Sequence, residues 1–465
     1  MLIETNIEVN LRSIEEFTRV MVSELLEDKI NFEILKENDL IKIKVKSEKL
    51  NKNTEFSYID LGNKIEDQVL TMCKISLLKL LDKKYDWGSL MGVRPTKVLR
   101  RLLINGCDYK EARKILKDFY LVTDEKINLM ETVVKKELEL LDKEHINLYI
   151  GIPFCPTKCK YCSFASYEIN GGVGRFYNDF VGALLKEIQI VGDFLKTYSK
   201  KVSSIYFGGG TPSTLTEEDL ERVLKKLLEN IDMTDVKEFT FEAGREDSLN
   251  IKKLEIMKKY FVDRISLNPQ SFNLETLKRV NRRFNRENFD LIFKEAKKLE
   301  FIINMDLIIG LPEETTEEIL DTLSQLKDYD IDNLTIHCLA FKRASKLFKE
   351  NQERNIIDRV LIEKYIQKIV EEKAMKPYYM YRQKNIIEWG ENIGYSKEGK
   401  ESIFNIEMIE ENQNTMALGG GGISKIVIEE RNGIDYIERY VNPKDPALYI
   451  RELYKRCKEK IEMFK

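Results

Sequence analysis

Residues 146–162, INLYIGIPFCPTKCKYC, combine a short apolar stretch with a cysteine-rich loop. The β-branched and apolar residues of 146–152 predict a buried β-strand. The loop that follows has the spacing C-x3-C-x2-C, formed by Cys155, Cys159 and Cys162. One such loop can ligate three irons of a [4Fe-4S] cubane and leave the fourth iron open to another ligand. The stretch therefore predicts a strand that ends in an iron-sulfur site.

Three other interpretations of the cysteines remain open from the residues themselves. They are a structural zinc knuckle, a redox-active C-x-x-C pair, and three cysteines that only pack together. Zinc needs a fourth ligand, and the two histidines of the chain, His145 and His337, lie outside the loop, although a distant cysteine could complete the set. A redox pair would leave Cys155 unexplained. The C-x3-C spacing favours the iron-sulfur cluster.

The cysteine loop follows the first of six β-prone runs that alternate with amphipathic helical patterns. This alternation predicts an α/β fold with a parallel sheet, either open and doubly wound or closed into a barrel. In both folds the chemistry lies at the carboxyl ends of the strands. Capping boxes at Thr216 and Thr315 mark the starts of two of the helices. The six predicted strands are Ile146–Ile152, Val202–Phe207, Glu238–Glu242, Arg264–Asn268, Ile302–Ile309 and Asn333–Leu339.

The sequence predicts one further structural unit before this repeat and one after it. Residues 1–145 mix extended and helical patterns, such as 41–45 and 66–81, and predict an accessory α+β domain. The βα repeat itself occupies residues 146–345. Residues 346–465 predict a smaller C-terminal lobe that covers the substrate.

The composition of the chain limits its class and its partners. It has 465 residues, 43% hydrophobic and 33% charged, which indicates a globular protein with several compact units. Its 76 basic and 79 acidic residues give a net charge of -3, so no overall field directs it to nucleic acid. No stretch approaches the roughly 18 apolar residues of a membrane span, and the first residues lack a secretion signal. We expect a cytoplasmic protein with no nucleic-acid partner and no membrane span.

The cysteine motif, with Tyr161 as the aromatic residue before the last cysteine, resembles the C-x3-C-x-aromatic-C signature of the radical S-adenosylmethionine (radical SAM) superfamily. The resemblance implies a partial (β/α)6 barrel. It also implies two cofactors, a [4Fe-4S] cluster on the three cysteines and S-adenosylmethionine at the open iron. An electron from the cluster would cleave S-adenosylmethionine to a 5'-deoxyadenosyl radical, so the cofactors rather than a side-chain acid or base would carry the chemistry.

Further motifs resemble the oxygen-independent coproporphyrinogen III oxidase (coproporphyrinogen dehydrogenase) family over about residues 147–345. They include GGGTP at 208–212 and DLIIGLP at 306–312. Taken alone, GGGTP predicts only a tight turn between a strand and a helix. Asp306 is a candidate functional residue even without the resemblance, because a carboxylate within an apolar strand is costly unless it is paired. By resemblance, the residues that bind S-adenosylmethionine are Tyr149, Tyr161, Gly209, Gly210, Thr211, Glu242, Gln270, Arg282, Asp306 and Ala340.

The sequence departs from the family pattern at two positions. Phe164 occupies the place of a fourth cysteine, and Gly151 replaces a histidine that is common in the family. Relatives that lack the fourth cysteine include proteins that bind and deliver haem. The long N-terminal part and residues 381–385, YRQKN, instead resemble the coproporphyrinogen dehydrogenase-like branch.

These features favour an anaerobic enzyme of haem biosynthesis that decarboxylates two propionates of coproporphyrinogen III oxidatively to vinyl groups, giving protoporphyrinogen IX. The alternatives are a haem-trafficking protein without this activity and another radical reaction on a tetrapyrrole. The implied partners are the tetrapyrrole substrate, an electron donor such as flavodoxin or ferredoxin, and an unknown electron acceptor. Cationic side chains suit the carboxylates of the substrate, and the candidates are Lys342, Arg343, Arg382 and Lys384.

Overall fold

The fold is given by a computed structural model. The structure describes residues 2–5, 9–59, 61, 65–340, 342, 344–349, 356–383, 390–429 and 435–465. The chain divides into two compact units, one of residues 1–135 with 381–390 and the other of residues 136–380 with 391–465. The boundaries at 145 and 345 that the sequence suggests stay predictions.

The first unit combines a sheet with helices, as predicted. Its strands are β1 (Leu2–Thr5), β2 (Lys29–Glu37), β3 (Leu40–Ser47) and β4 (Lys52–Ile59). They pair in chain order, β1 parallel to β2 and the later pairs antiparallel. Along β3 the buried residues Ile41, Ile43 and Val45 alternate with more exposed lysines, so one face of the sheet covers the core. The helices are α1 (Leu11–Met21), α2 (Ile65–Leu80), α3 (Thr96–Ile104), α4 (Tyr109–Lys114) and α5 (Asp124–Leu140).

The second unit contains all six predicted strands. Up to residue 345 its strands are β5 (Ile146–Ile152), β6 (Phe154–Cys155), β7 (Tyr167–Glu168), β8 (Val202–Gly209), β9 (Glu238–Gly244), β10 (Arg264–Leu267), β11 (Ile302–Ile309) and β12 (Asn333–Cys338). The short strands β6 and β7 pair only with each other, and the other six pair in chain order, all parallel. The helices between them are α6 (Tyr177–Thr197), α7 (Glu217–Asn230), α8 (Ile251–Lys259), α9 (Leu274–Arg279), α10 (Arg286–Lys298) and α11 (Thr316–Gln325).

Strands from the C-terminal part extend the six parallel strands at both edges. The later elements are α12 (Lys346–Lys349), α13 (Arg359–Glu372), β13 (Lys376–Tyr381), β14 (Asn392–Ser396), α14 (Ile403–Glu410), β15 (Asn414–Gly419), β16 (Ile423–Glu429), β17 (Asp435–Val441) and α15 (Pro446–Phe464). Strand β14 lies antiparallel to β12, and β15 lies parallel to β5. The result is one mixed sheet, so the predicted α/β class is correct. None of the described helices has the length and apolar composition that crossing a membrane requires.

The parallel strands carry apolar side chains on one face and polar side chains on the other. In β5, the fully buried Leu148 and Ile150 alternate with Asn147 and Tyr149, so the two pairs lie on opposite faces. Near the amino ends of the strands the segment 400–404 crosses the polar face. There Arg264 Nη1 donates to the carbonyl of Lys400 at 2.8 Å, and the Ser402 hydroxyl donates to Glu238 at 2.8 Å. This segment closes the amino end of the polar face, opposite the end where the cysteines lie.

A fully buried ion pair joins three elements of the second unit. Lys460 on α15 is 0% exposed, and its Nζ lies 2.6 Å from Glu187 Oε1 on α6. The same Nζ donates to the carbonyl of Ala417 on β15 at 2.6 Å. The second oxygen of Glu187 accepts from the Tyr449 hydroxyl at 2.6 Å and from the Gly419 N–H at 2.7 Å. With both charges hydrogen-bonded in this way, the pair holds β15 and both helices together.

We expect Lys460→Met to lower the free energy of unfolding by about 3–5 kcal/mol, because Glu187 would keep a buried charge without its cation. Urea unfolding measures the effect. Lys458→Met on the exposed side of the same helix is the matched control and should change stability by less than about 0.5 kcal/mol. Equal losses in the two variants would contradict a stabilising role for the pair.

Candidate functional site

The three cysteines lie where the chain leaves β5 at the carboxyl end of the sheet. Cys155 and Cys159 are each 7% exposed, and Cys162 is half-buried. Burial, together with the charges of Cys162 and Cys159, raises the pKa of the Cys155 thiol to about 12, although a hydrogen bond from Thr211 opposes the shift. The N–H of Cys162 donates to the carbonyl of Cys159 at 3.1 Å, so the loop turns back between the second and third cysteines. The structure thus brings the three predicted ligands together.

The chemistry of the donors fits a cubane. Three thiolates on one loop are a ligand set that a [4Fe-4S] cubane takes, with each thiolate on a different iron. A structural zinc ion takes four protein ligands, and the loop supplies three. The cysteine loop could therefore hold a [4Fe-4S] cluster.

Arg245, which directly follows β9 and to which the sequence analysis gave no role, supports the cysteine loop. It is 3% exposed and forms an ion pair with Asp247, with Nη2 2.5 Å from the carboxylate. Its Nη1 donates to the Thr157 hydroxyl at 2.9 Å and lies 3.8 Å from Cys159 Sγ. A buried guanidinium beside a thiolate stabilises the charged, metal-binding form. The sequence signal that could have identified Arg245 is a basic residue immediately after a strand that ends in a glycine.

The GGGTP segment at 208–212, here called the glycine loop, packs against residues 152–155, which lead into the cysteine loop. The N–H of Gly210 donates to the carbonyl of Ile152 at 2.8 Å, and the N–H of Thr211 donates to that of Phe154 at 2.7 Å. A Cβ on Gly210 would lie only 2.5 Å from the Phe154 oxygen, and Gly209 has a φ of +109°. The Thr211 hydroxyl donates to Cys155 Sγ at 3.3 Å. The glycines therefore allow two strand ends to touch, in addition to any contact with a ligand.

Glu242 on β9 is held by Tyr206, a residue that sequence reasoning missed. The Tyr206 hydroxyl donates to Glu242 Oε1 at 2.5 Å. The Tyr206 ring stacks on Phe404 of α14 with centroids 4.3 Å apart. The ring of Tyr149 also stacks with that of Tyr206, with centroids 6.2 Å apart. Burial raises the pKa of Glu242 to about 7, with a further contribution from the charge of Asp306. Strand alternation places Tyr206 on the polar face, which was the signal available for it.

Asp306 on β11 lies on the same polar face, as predicted for an aspartate within an apolar strand. Its Oδ1 accepts from Asn304 at 2.8 Å, and its Oδ2 lies 3.8 Å from His337 Nε2 on β12. Burial alone would raise the pKa of Asp306, but the hydrogen bond and charge of His337 lower it overall. The charge of Asp306 in turn contributes to the raised pKa of Glu242.

Gln270 and Arg282 present buried polar atoms to the same region. Gln270 has a φ of +67°. Its N–H donates to the carbonyl of Asp306 at 3.0 Å, and its carbonyl accepts from the N–H of Ile308 at 2.9 Å, so its backbone pairs with one edge of β11. Arg282 donates to the carbonyl of Gly244 at 2.9 Å. Gln270 Oε1 and Arg282 Nε are both buried without a hydrogen-bond partner. Such atoms are costly unless a ligand satisfies them, so they fit a cofactor site.

The remaining predicted residues occupy the border of the site. Tyr161 lies in the cysteine loop, where burial and the neighbouring Cys159 raise the pKa of its hydroxyl. Ala340 follows β12 by two residues. At Gly151, a Cβ would lie 2.6 Å from the Gly420 carbonyl oxygen, so the close approach of the chain after β15 leaves no room for the histidine of the family pattern. Phe164 is 65% exposed.

The four candidates for substrate carboxylates fall in different places. Lys342 Nζ lies 5.8 Å from the centroid of the Phe164 ring, in the second unit. Arg382 belongs to the first unit, where its guanidinium lies 5.2 Å from the Trp87 ring centroid. Arg343 and Lys384 lie outside the described residues. These assignments stay predictions.

Comparison with known proteins identifies the superfamily. The sequence model of the radical SAM superfamily matches residues 149–326. The heme chaperone HemW of Bacillus subtilis is 31% identical over 197 residues, which are 41% of this chain and 49% of HemW. Among solved structures, coproporphyrinogen III oxidase (HemN) of Escherichia coli, described as a radical SAM enzyme, aligns with a TM-score of 0.54. That alignment covers 70% of this chain and 73% of HemN at 19% identity, and it shows that the fold is shared.

A longer match defines the family. The oxygen-independent coproporphyrinogen-III oxidase-like protein HemZ of Bacillus subtilis is 39% identical over 386 residues, 81% of this chain and 76% of HemZ. Radical SAM proteins use a [4Fe-4S] cluster and S-adenosylmethionine, which confirms the predicted cofactors. From the cysteine loop, the six parallel strands and this match, the chain belongs to the oxygen-independent coproporphyrinogen-III oxidase-like family of the radical SAM superfamily.

Proposed function

We propose that the chain is a radical SAM enzyme that converts coproporphyrinogen III to protoporphyrinogen IX. Two propionate side chains would each lose a hydrogen atom from the β-carbon, then carbon dioxide and one electron, to become vinyl groups. The observation that carries the proposal is the 39% identity with HemZ, which extends over 81% of the chain and therefore far beyond the cofactor-binding strands.

The side chains at the carboxyl ends of the strands would hold the cofactors. Cys155, Cys159 and Cys162 would bind three irons of the cluster, with Arg245 offsetting thiolate charge. When bound, the cluster and S-adenosylmethionine supply one-electron chemistry that can remove a hydrogen atom from an unactivated carbon. The chain itself contributes binding and orientation.

Two carboxylates and two unsatisfied polar atoms suit the polar parts of S-adenosylmethionine. Glu242 and Asp306 can accept hydrogen bonds from ribose hydroxyls or from the ammonium group. Gln270 Oε1 can accept another, and Arg282 Nε can donate to the carboxylate. Tyr206 fixes the orientation of Glu242 through its 2.5 Å hydrogen bond, so the acceptor is already in place when the cofactor arrives.

A second candidate function is haem binding and delivery. It is favoured by the similarity to HemW, a heme chaperone, and by Phe164 at the position of the fourth cysteine. In that case the cluster would be kept but no propionate would be decarboxylated.

An anaerobic assay of the reconstituted protein separates the two functions. With coproporphyrinogen III, S-adenosylmethionine and a reductant, we expect vinyl-containing products and 5'-deoxyadenosine, measured by chromatography with mass detection. Stoichiometric haem binding with no vinyl product would overturn the enzymatic proposal in favour of delivery. Deoxyadenosine with a different tetrapyrrole product would instead identify another radical reaction.

We expect Cys159→Ser to abolish the iron-dependent visible absorbance after reconstitution, because an alcohol does not replace a thiolate on iron. Iron and sulfide analysis provide a second measurement. Cys107→Ser, at a half-buried cysteine of the first unit, is the matched control and should load a full cluster. A fully loaded cluster in the Cys159 variant would show that the ligands are assigned wrongly.

Glu242 should make the binding of S-adenosylmethionine depend on pH. Burial raises the pKa of Glu242 to about 7, and the ionised carboxylate accepts hydrogen bonds from the cofactor more strongly than the protonated acid does, so binding expels a proton. Affinity should therefore fall as the pH drops below about 7, by up to tenfold per pH unit. Equilibrium dialysis from pH 6 to pH 8 measures it. Glu242→Gln should bind more weakly and lose this dependence; a Gln variant with the same pH profile would exclude Glu242 as the cause.

A further inference from the structure

The chain contains two histidines, and one of them, His337, lies beside the candidate site. It is the second-last residue of β12 and stands on the polar face of the sheet, two residues after Thr335. Strand β12 pairs with β11, and this pairing leaves His337 Nε2 3.8 Å from Asp306 Oδ2. The side chain is 27% exposed, so the ring lies at the border of the site and not in the core. The structure therefore places an imidazole next to a carboxylate of the candidate site.

The other polar atoms of Asp306 are held by neutral groups. Its Oδ1 accepts from the Asn304 amide at 2.8 Å, and its backbone N–H donates to Asn268 Oδ1 at 3.2 Å. Its carbonyl accepts from the N–H of Gln270 at 3.0 Å. These contacts fix the backbone and one oxygen of the carboxylate. The ionisable group beside the second oxygen, Oδ2, is His337.

The two carboxylates of the site differ in how readily they ionise. Burial penalises the ionised form of both. It raises the pKa of Glu242 to about 7, although the Tyr206 hydroxyl donates to this carboxylate. For Asp306 the influence of His337 outweighs burial, and the pKa lies below its ordinary value. Because neighbouring like charges oppose each other, a partner that favours ionisation of one carboxylate also decides which of the two carries the negative charge.

We propose that His337 is a positioning residue that holds the Asp306 carboxylate in the orientation in which it binds S-adenosylmethionine. The inference rests on the proposed function, in which Asp306 contacts this cofactor. Asn304 holds one carboxylate oxygen and His337 the other, so the group is already oriented when the cofactor arrives. A proton on Nε2, in either the neutral or the charged ring, favours the ionised carboxylate.

The length of the contact agrees with this role. A separation of 3.8 Å suits an ion pair and exceeds a hydrogen bond. Contacts of this kind are often long without a ligand and shorten in the complex. A carboxylate fixed at both oxygens also loses less rotational freedom on binding, so more of the interaction energy appears as affinity.

Two other roles for His337 make different predictions. A ring that touched the cofactor itself would contribute to binding whether or not Asp306 is present. A ring that only fills space at the end of β12 would be replaced by any side chain of similar volume. Phenylalanine keeps the volume and removes both nitrogens, whereas glutamine keeps an N–H donor and removes the ring.

Equilibrium dialysis of S-adenosylmethionine tests the proposal, with the reconstituted full chain kept anaerobic and without a reductant, so that the cofactor is not cleaved. We expect His337→Phe to weaken binding about tenfold, because a hydrogen bond to a charged group is lost, and His337→Gln to recover most of that loss. Asp306→Asn should weaken binding by at least as much as His337→Phe. In the Asp306→Asn background, His337→Phe should cost less than about twofold, because a residue that acts through Asp306 has no charge left to orient.

The second histidine, His145, provides a matched control. Its Nδ1 lies 2.8 Å from Asp142 Oδ2, and it directly precedes β5, at the end of the strand opposite the cysteines. His145→Phe removes the same kind of pair and should bind the cofactor with wild-type affinity. Iron and sulfide analysis should show a full cluster in every variant, because none of them changes a cysteine.

Three results would overturn the proposal. They are an unchanged affinity in His337→Phe, equal losses in the Phe and Gln variants, and losses that add fully to that of Asp306→Asn. Full addition would mean that His337 contacts the cofactor itself. An unchanged affinity in Asp306→Asn would remove the proposed role of Asp306 together with that of His337. Because no tetrapyrrole is present, failure of the decarboxylation proposal would appear only in the product assay.

Discussion

The rest of the second unit depends on holding three sulfurs together at the end of one strand. As thiolates they repel one another, and burial of Cys155 makes its ionisation harder still. The surrounding chain offsets this cost from several directions. Arg245 brings a buried positive charge beside Cys159, Thr211 donates a hydrogen bond to Cys155, and the glycine loop fixes the backbone on which they stand. A metal cluster would then supply the remaining positive charge.

The polar face of the sheet carries further residues of the candidate site. Its polar face carries Tyr206, Glu242 and Asp306 in the same region, and Phe404 from the C-terminal part stacks directly on Tyr206. The floor of the site is therefore made by a residue far along the chain, while its walls come from the parallel strands. Glu187 and Lys460 tie the neighbouring strand β15 to α6 and α15 through a buried network, and β15 itself pairs with β5.

Much of this arrangement could be predicted from the sequence, because it follows from local patterns. The six strands were recognisable from their apolar runs, and Asp306 from a charge placed within one of them. Contacts that depend on strand register were not recognisable. Tyr206 meets Glu242 only because β8 and β9 pair as they do, and Arg245 reaches Cys159 across a loop. The pairing of β15 with β5 could not be predicted either, because nothing in the sequence NTMALG at 414–419 specifies a partner strand so much earlier in the chain.

The pairing of β15 with β5 also sets the order in which the protein can mature. Gly419 and Gly420 lie against Gly151 and Pro153, at the base of the cysteine loop. During synthesis the cysteines emerge long before these glycines, and contacts between distant parts of a chain form slowly. The base of the cysteine loop is thus complete only after residues 419 and 420 have been made, long after the three cysteines themselves.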